Sequence, residues 1–376
     1  MTKSKNFLLP VAAVILAASL AAFGLFTFTA SGRNVLPRLV YTAVAFIAVL
    51  AAAFMRESIL RIFAVAAYIG EVTLLIAGRF FTDMYIGGSV QIGYFFINPS
   101  YMLVLCLPFI AFCAEKIKKA DWKKTALLSV AAILPGMISM SAASKYLGVG
   151  YFAAVFVMFI VLRKDREINI TYIIFPVVVI ASIIAFFSYA NDSRYLSTVL
   201  DVIRTRGQSD PITVGWLRIL YDGIFRYSPL VGETTTVISE VSDIPRLLTT
   251  LGCDSAMYIL ARLGKLPFIG FVLICVLFTV CVMAMAVKTK QSTFARFTSL
   301  SLALSVLFCN AIYFCSIFFL VGDRSFIPFF STGLSISIAS AFMLGNIISL
   351  YLKRNQTKPK KPFVVAVTSS VLEGES

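Results

Sequence analysis

The chain has 376 residues, 59% of them hydrophobic and only 14% charged, with a mean hydropathy of +0.91. No soluble domain hides that much apolar surface, so the sequence reads as an all-α polytopic membrane protein. The net charge is +15 and histidine is absent, which excludes Ser-His-Asp and Cys-His catalysis and the commonest zinc sites.

In chain order, the N-terminus "MTKSKNFLLPVAAVILAASLAAFGLF" has the basic start and apolar run of a signal peptide. The run is long and the rest of the chain is equally apolar, so a retained first span is expected. Apolar runs long enough to span occur near 7–29, 39–55, 59–78, 100–114, 125–143, 147–162, 170–190, 266–287, 297–320 and 328–352, which predicts about ten helices. Glu71 interrupts the third in "YIGEVTLLIAG". An acid at that depth is costly and faces a cavity or a partner; an interhelical hydrogen bond and a functional role are both open. The segment 79–99, "RFFTDMYIGGSVQIGYFFINP", is rich in aromatics and glycine and reads as interfacial or re-entrant. Residues 191–265 form the large loop between helices 7 and 8. The single transmembrane domain is expected over 1–352, and the tail 353–376, basic and then polar, is expected to be disordered.

The charge follows topology. With the N-terminus inside, the cytoplasmic segments hold 20 of the 33 basic residues. Of the other 13, 8 fall in the large loop, where the positive-inside rule has little force. Both termini are therefore expected in the cytoplasm, with 191–265 outside. The basic balance is no sign of nucleic acid. All seven cysteines except Cys253 lie in apolar runs, and none has disulfide-framework or metal-ligand spacing.

The large loop carries 8 of the 18 acids, and function on polytopic proteins concentrates on such loops. Its pieces "RYLSTVLDVIRTRG" and "VGWLRILYDGIFRY" are amphipathic and suit helices lying on the membrane. Arg194, Arg204, Arg206, Arg218, Arg226 and Arg246 are cations beside a bilayer; guanidinium forks suit phosphate oxygens, although each alone is more often a surface or salt-bridge residue than a phosphate ligand, and the cluster is the more suggestive signal. At the loop's end, "LGCDSAMYILARLG" spaces Asp254, Tyr258 and Arg262 by four, so the three line one helical face. Asp254 is either the N-cap of that helix or a reacting acid. Pro99-Ser100 and Pro328 mark helix starts, and with Ser331 they shape cavity mouths.

Four segments in order carry a resemblance. "INPSYMLVL" at 97–105, "RYLSTVLDVIRTRGQSDPITVGWLRILYDGIF" at 194–225, "CDSAMYILARLGKLPFIG" at 253–270 and "IPFFSTGLSISI" at 327–338 resemble segments of the SEDS family, the FtsW/RodA/SpoVE proteins. Departures are clear: Tyr101 and Val104 replace a Glu and a Lys, Leu334 replaces a Gly, and "SMSAASKYLGVGYF" stands where a Gln-Pro-Asp-Leu-Gly-Thr segment belongs. The resemblance implies a peptidoglycan glycosyltransferase. Such a protein polymerises lipid II at the outer face of the cytoplasmic membrane beside a class B penicillin-binding protein. The family's catalytic loop aspartate falls on Asp254. Glycan transfer needs a base near the attacking hydroxyl, and cations or a divalent ion, Mg or Mn, near the leaving pyrophosphate. Other readings stay open: a lipid-linked substrate flippase using Glu71, an O-antigen ligase or polymerase, which the missing histidine disfavours, and a SEDS-like scaffold without catalysis.

Overall fold

The computed structural model describes residues 7–30, 34–80, 85–86, 89–92, 95–117, 122–142, 145–166, 224–233, 256–319, 325–331 and 333–354. Its helices are α1 (Leu8–Ala30), α2 (Leu36–Phe54), α3 (Glu57–Phe80), α4 (Leu107–Glu115), α5 (Trp122–Ala142), α6 (Lys145–Arg166), α7 (Ala256–Leu263), α8 (Lys265–Lys288), α9 (Thr293–Phe319) and α10 (Leu334–Lys353). Among the described residues, α1, α2, α3, α8, α9 and α10 are long and apolar enough to cross a membrane, and Pro99–Glu115 and Leu147–Val161 are shorter apolar helices. The protein is a multi-pass helical membrane protein. The expected span at 170–190 lies outside the described residues, as does the tail from 355.

One element was not foreseen. Within 79–99 the chain forms an antiparallel meander of β1 (Tyr85–Ile86), β2 (Ser89–Ile92) and β3 (Phe95–Ile97). Val90 stands opposite both Tyr85 and Ile97. β3 leads into a 3-10 helix, Pro99–Cys106, before α4 begins.

Proline explains that irregular backbone. Pro108 cannot donate to the Val104 carbonyl, and its ring crowds the carbonyl four residues back. The Leu107 amide bonds Val104 instead, one residue closer, which is the 3-10 pattern. The stretch is tolerated at this depth because protein surrounds it: Pro99, Ser100 and Met102 to Cys106 are all buried.

Pro135 poses the same problem inside α5. Its missing N–H strands the Ala131 carbonyl, and the Tyr68 hydroxyl of α3 donates to that oxygen at 2.8 Å. A backbone defect in one helix is thus repaired by a side chain of its neighbour.

The two ends of the bundle differ. At the end holding the C-terminus of α10 (the tail end), Arg61 bridges Glu57 at 2.7 Å and Glu115 at 2.6 Å. Ser292 Oγ donates to Glu57 at 2.8 Å. Lys353 Nζ donates to the carbonyls of Phe54 and Met55, where α2 ends, a favourable place for a cation. At the other end (the loop end) stand α7, the meander and the turn before α10.

The repair at Pro135 gives a test. Tyr68→Phe should cost about 1–3 kcal/mol, the penalty for a buried acceptor left unpaired. In a Pro135→Ala background, position 135 regains an N–H, so the Tyr68→Phe loss should shrink. Unfolding midpoints of the four proteins in detergent give the comparison; equal losses in both backgrounds would show that the contact does not serve the proline.

Candidate active site at the loop end

The segment that turns into α10 is built on itself. The Ser331 amide donates to the Ile327 carbonyl at 3.0 Å, and the Ile327 amide returns a 3.0 Å bond to Ser331 Oγ. Between them Phe329 has φ 66°, a left-handed conformation costing a non-glycine residue about 1–2 kcal/mol. Surrounding contacts hold it there. Its amide donates to Ser340 Oγ at 3.2 Å, and its ring stacks on Phe46 at 5.4 Å. Pro328 and Ser331 therefore define a tight turn.

Onto this turn α2 delivers Arg38, only 4% exposed. Its guanidinium donates to the Phe330 carbonyl and lies 5.5 Å from the centre of the Phe28 ring. Gly24 of α1 makes room: a Cβ there would stand 1.9 Å from Arg38 Nη2. Arg38, Tyr41, Thr42, Ser331, Ser337 and Ser340 line a narrow cavity of about 10 Å³ between α2 and α10, close to the size of one water. A fixed guanidinium among hydroxyls suits an anion's oxygens. In the sequence Arg38 is one of the basic residues outside the cytoplasmic segments. The available signal was an arginine following Pro37 at the start of an apolar span.

The cavity-mouth residues do come together. The Asn98 amide, just before Pro99, donates to Ser335 Oγ at 2.7 Å, and Asn98 Oδ1 caps the 3-10 helix by accepting from the Ser100 amide at 3.0 Å. Tyr101 packs edge-on to Phe326 at 5.6 Å. Pro99 and Ser100 thus abut the turn carrying Pro328 and Ser331.

Helix α7 departs from expectation. Tyr258 does not line a polar face; it is 1% exposed, as buried as Ala256, Met257, Ile259 and Leu260 around it. The four-residue spacing is real, but protein covers that side of the helix too. Arg262 is partly exposed, pairs with Glu233 and lies 5.9 Å from the Tyr258 ring centre. The start of α7 is anchored in the bundle, where the Ala256 amide donates to the Tyr313 hydroxyl at 2.8 Å. Its end is clasped by 224–233: Lys265 N donates to Pro229 O and Gly232 N to Leu263 O, each at 2.9 Å. Gly264, at φ 94°, admits this approach, since a Cβ would meet Pro229 O at 2.7 Å. Arg226 on the same segment is exposed.

Asp254, Arg194, Arg204, Arg206 and Arg218 lie outside the described residues. Asp254 precedes the first residue of α7 by two. The root of that helix and Arg38 share one support. Arg38 bonds the Phe330 carbonyl, the Phe330 ring packs against Tyr313 at 6.5 Å, and Tyr313 holds Ala256. Glu71 is 2% exposed, and neither carboxyl oxygen has a hydrogen-bond partner among the described residues. Among the described residues, no group of three or more Cys, Asp or Glu could hold a metal ion.

Arg38→Ala should lower stability by about 1.5–3 kcal/mol, the usual worth of a hydrogen bond to a charged group. Gly24→Ala should lower it as well by displacing the guanidinium. The two losses should not add, because they act on one contact. Additive shifts in unfolding midpoint would refute the coupling.

No family model and no curated protein sequence matches the chain. Solved structures do. A chain of a peptidoglycan synthase complex, described as coordinating polymerization and crosslinking, superposes with a TM-score of 0.67 at 17% identity, covering 92% of this chain and 98% of that one. The rod shape determining protein RodA of Thermus thermophilus superposes at 0.58 with 14% identity, covering 92% and 97%. An aspartate-to-alanine variant of the same RodA gives the same values. The chain therefore carries the RodA fold, and the SEDS resemblance read in its motifs is matched by its three-dimensional architecture.

Proposed function

We propose that this protein is a peptidoglycan glycosyltransferase that polymerises lipid II on the outer face of the cytoplasmic membrane. The observation that carries the reading is the shared support at the loop end. One turn, 327–331, fixes a buried guanidinium and, through Tyr313, the root of the helix that Asp254 precedes. A helix root just after an acid in sequence, sharing one rigid support with an anion-binding cation, suits glycosyl transfer from a lipid pyrophosphate. The fold shared with a peptidoglycan synthase complex supports the same reading.

In this proposal the Asp254 carboxylate takes the proton of the attacking sugar hydroxyl as the new glycosidic bond forms. The lipid pyrophosphate leaves with the electron pair of the broken bond. Arg38 and the loop arginines Arg194, Arg204, Arg206 and Arg218 offset its charge, with Arg226 at the exposed rim. A divalent cation, Mg or Mn, would supply further charge to the leaving group. The partner is a class B penicillin-binding protein, which crosslinks the product.

Asp254→Asn separates acid from cap. Asn is nearly isosteric and caps helices as well as Asp, so expression and membrane insertion should persist. Polymer formation should fall by about a hundredfold to ten-thousandfold, the usual loss without a general base. Lipid II polymerised at the wild-type rate by the Asn variant would assign Asp254 a structural role only.

The topology has its own test. Single cysteines at positions 210 and 120, in a background without other reactive thiols, should respond oppositely to a membrane-impermeant maleimide added outside. Position 210 should label and position 120 should not; the reverse pattern would place the loop end in the cytoplasm and rule out this reaction.

A further inference from the structure

The segment that clasps α7 presents an apolar knuckle. Tyr227, Leu230 and Val231 are 57, 70 and 68% exposed, while Ile224 and Ser228 on the same segment are buried. Phe225 packs edge-on to Phe268 of α8 at 5.9 Å, and the Ser228 amide closes a turn on the Ile224 carbonyl at 2.9 Å. The knuckle is fixed where it meets α8. The Leu266 amide donates to the Leu230 carbonyl at 2.9 Å, beside the Lys265 bond to Pro229. Gly232, at φ 109°, supplies the left-handed turn that brings its amide to Leu263. Three large apolar side chains are thus displayed on backbone that is already ordered, so covering them costs little further conformational entropy.

What covers them follows from α8. Leu266, Ile269, Leu273, Val276 and Val280 are exposed. Their alternating spacing of three and four makes one stripe along a helix long and apolar enough to cross a membrane. Leu266, the first of the stripe, is the residue bonded to Leu230, so the knuckle continues the stripe beyond the helix start. The 24 residues of α8 rise about 36 Å, against a hydrocarbon thickness of about 30 Å. Both ends of the helix therefore reach the headgroup boundary, and the knuckle stands at one of them. The polar groups agree with that level. Arg226 is exposed next to Tyr227, Lys265 Nζ donates to the Arg226 carbonyl at 3.4 Å, and Arg262 pairs with Glu233. Cations and a tyrosine flanking apolar side chains are the composition of a membrane–water interface.

We propose that Tyr227, Leu230 and Val231 insert into the headgroup–acyl boundary of the bilayer and anchor the end of α7 there. Placing Leu230 and Val231 among acyl chains removes apolar surface from water. The Tyr227 ring suits the same boundary, with an apolar body for the chains and a hydroxyl for the headgroups. Interfacial apolar groups of this kind reach about 5–10 Å below the headgroups. Pro229, Leu230 and Gly232 are bonded to Lys265, Leu266 and Leu263, so the anchor sets the level of the α7–α8 junction relative to the lipid headgroups. The inference rests on exposure and backbone geometry and is independent of the reaction proposed for the loop end.

The test uses the full chain in nanodiscs of phosphatidylcholine and phosphatidylglycerol, without a partner protein. Two variants, Leu230→Cys and Val231→Cys, each in a background without other reactive thiols, carry an NBD fluorophore on the new thiol. Both labels should emit at the blue-shifted wavelength of an apolar site and resist quenching by aqueous iodide. They should lose intensity to lipids spin-labelled near the headgroup, and lose less to lipids spin-labelled at the chain end. Quenching by iodide with no response to spin-labelled lipid would place the knuckle in water and overturn the proposal. Resistance to both quenchers would show the knuckle covered by protein and would overturn it equally. Adding a class B penicillin-binding protein to the nanodiscs should leave the lipid quenching unchanged; its loss would assign the surface to that partner and not to lipid. Both positions are exposed, so the substitutions spare the packed interior, and either label alone decides. Both leaflets carry the same lipids, so the result does not depend on which end of the bundle faces the cytoplasm.

Discussion

Helix α10 lies closely along α2, and the rest of the bundle is arranged about that contact. Gly345 brings the two backbones together, since even a Cβ there would stand 2.6 Å from the Ala52 methyl. Small residues at a crossing are how membrane helices gain dispersion contacts when no hydrophobic force separates protein from lipid. Polar clamps fix each end of the pair: Lys353 on the carbonyls that end α2, and Arg38 on the turn that starts α10. The cavity between them is consequently a gap of set width, with one cation at a set position. The root of α7, held by Tyr313, rests on the same turn.

The bilayer also dictates where irregular backbone can stand. Hydrocarbon offers no hydrogen bonds, so each proline that removes a donor needs a local remedy. Pro135 is served by Tyr68. Pro108 is served by a tightened 3-10 turn. Pro328 stands in a turn whose backbone bonds close on Ser331. The Pro108 stretch and the Pro328 turn each border a small cavity, one lined by Ser100, Tyr151 and Ser305 and the other by Arg38, Ser331 and Ser340.

Much of this was legible in the sequence because membrane spans obey a length and polarity rule that no tertiary context overrides. Nine of the ten expected spans coincide with described helices or with the 3-10 and α4 pair. The helix start at Pro99-Ser100 was legible because proline and capping side chains act locally, whereas Pro328, read as a helix start, stands in the turn before α10, which begins at Leu334. Three features were not legible. The meander at 85–97 rests on cross-strand pairing in a segment whose glycines and aromatics fit several conformations. The burial of Tyr258 was not legible, because helical spacing tells which residues share a face, not whether protein covers it. Arg38 looked like a topological charge because its partners, Phe330 and Gly24, lie 292 residues away in sequence and on a different helix, respectively. Long-range pairing of this kind leaves no periodic trace.

The central claim is that the loop end performs chemistry on a lipid-linked sugar. Purified wild-type protein, reconstituted in liposomes with labelled lipid II and with or without a class B penicillin-binding protein, tests it most directly. The account predicts that lipid II supplied on the loop side is converted to glycan ladders with release of the lipid pyrophosphate. Lipid II that stays monomeric under both conditions, or that crosses the bilayer without being polymerised, would contradict it.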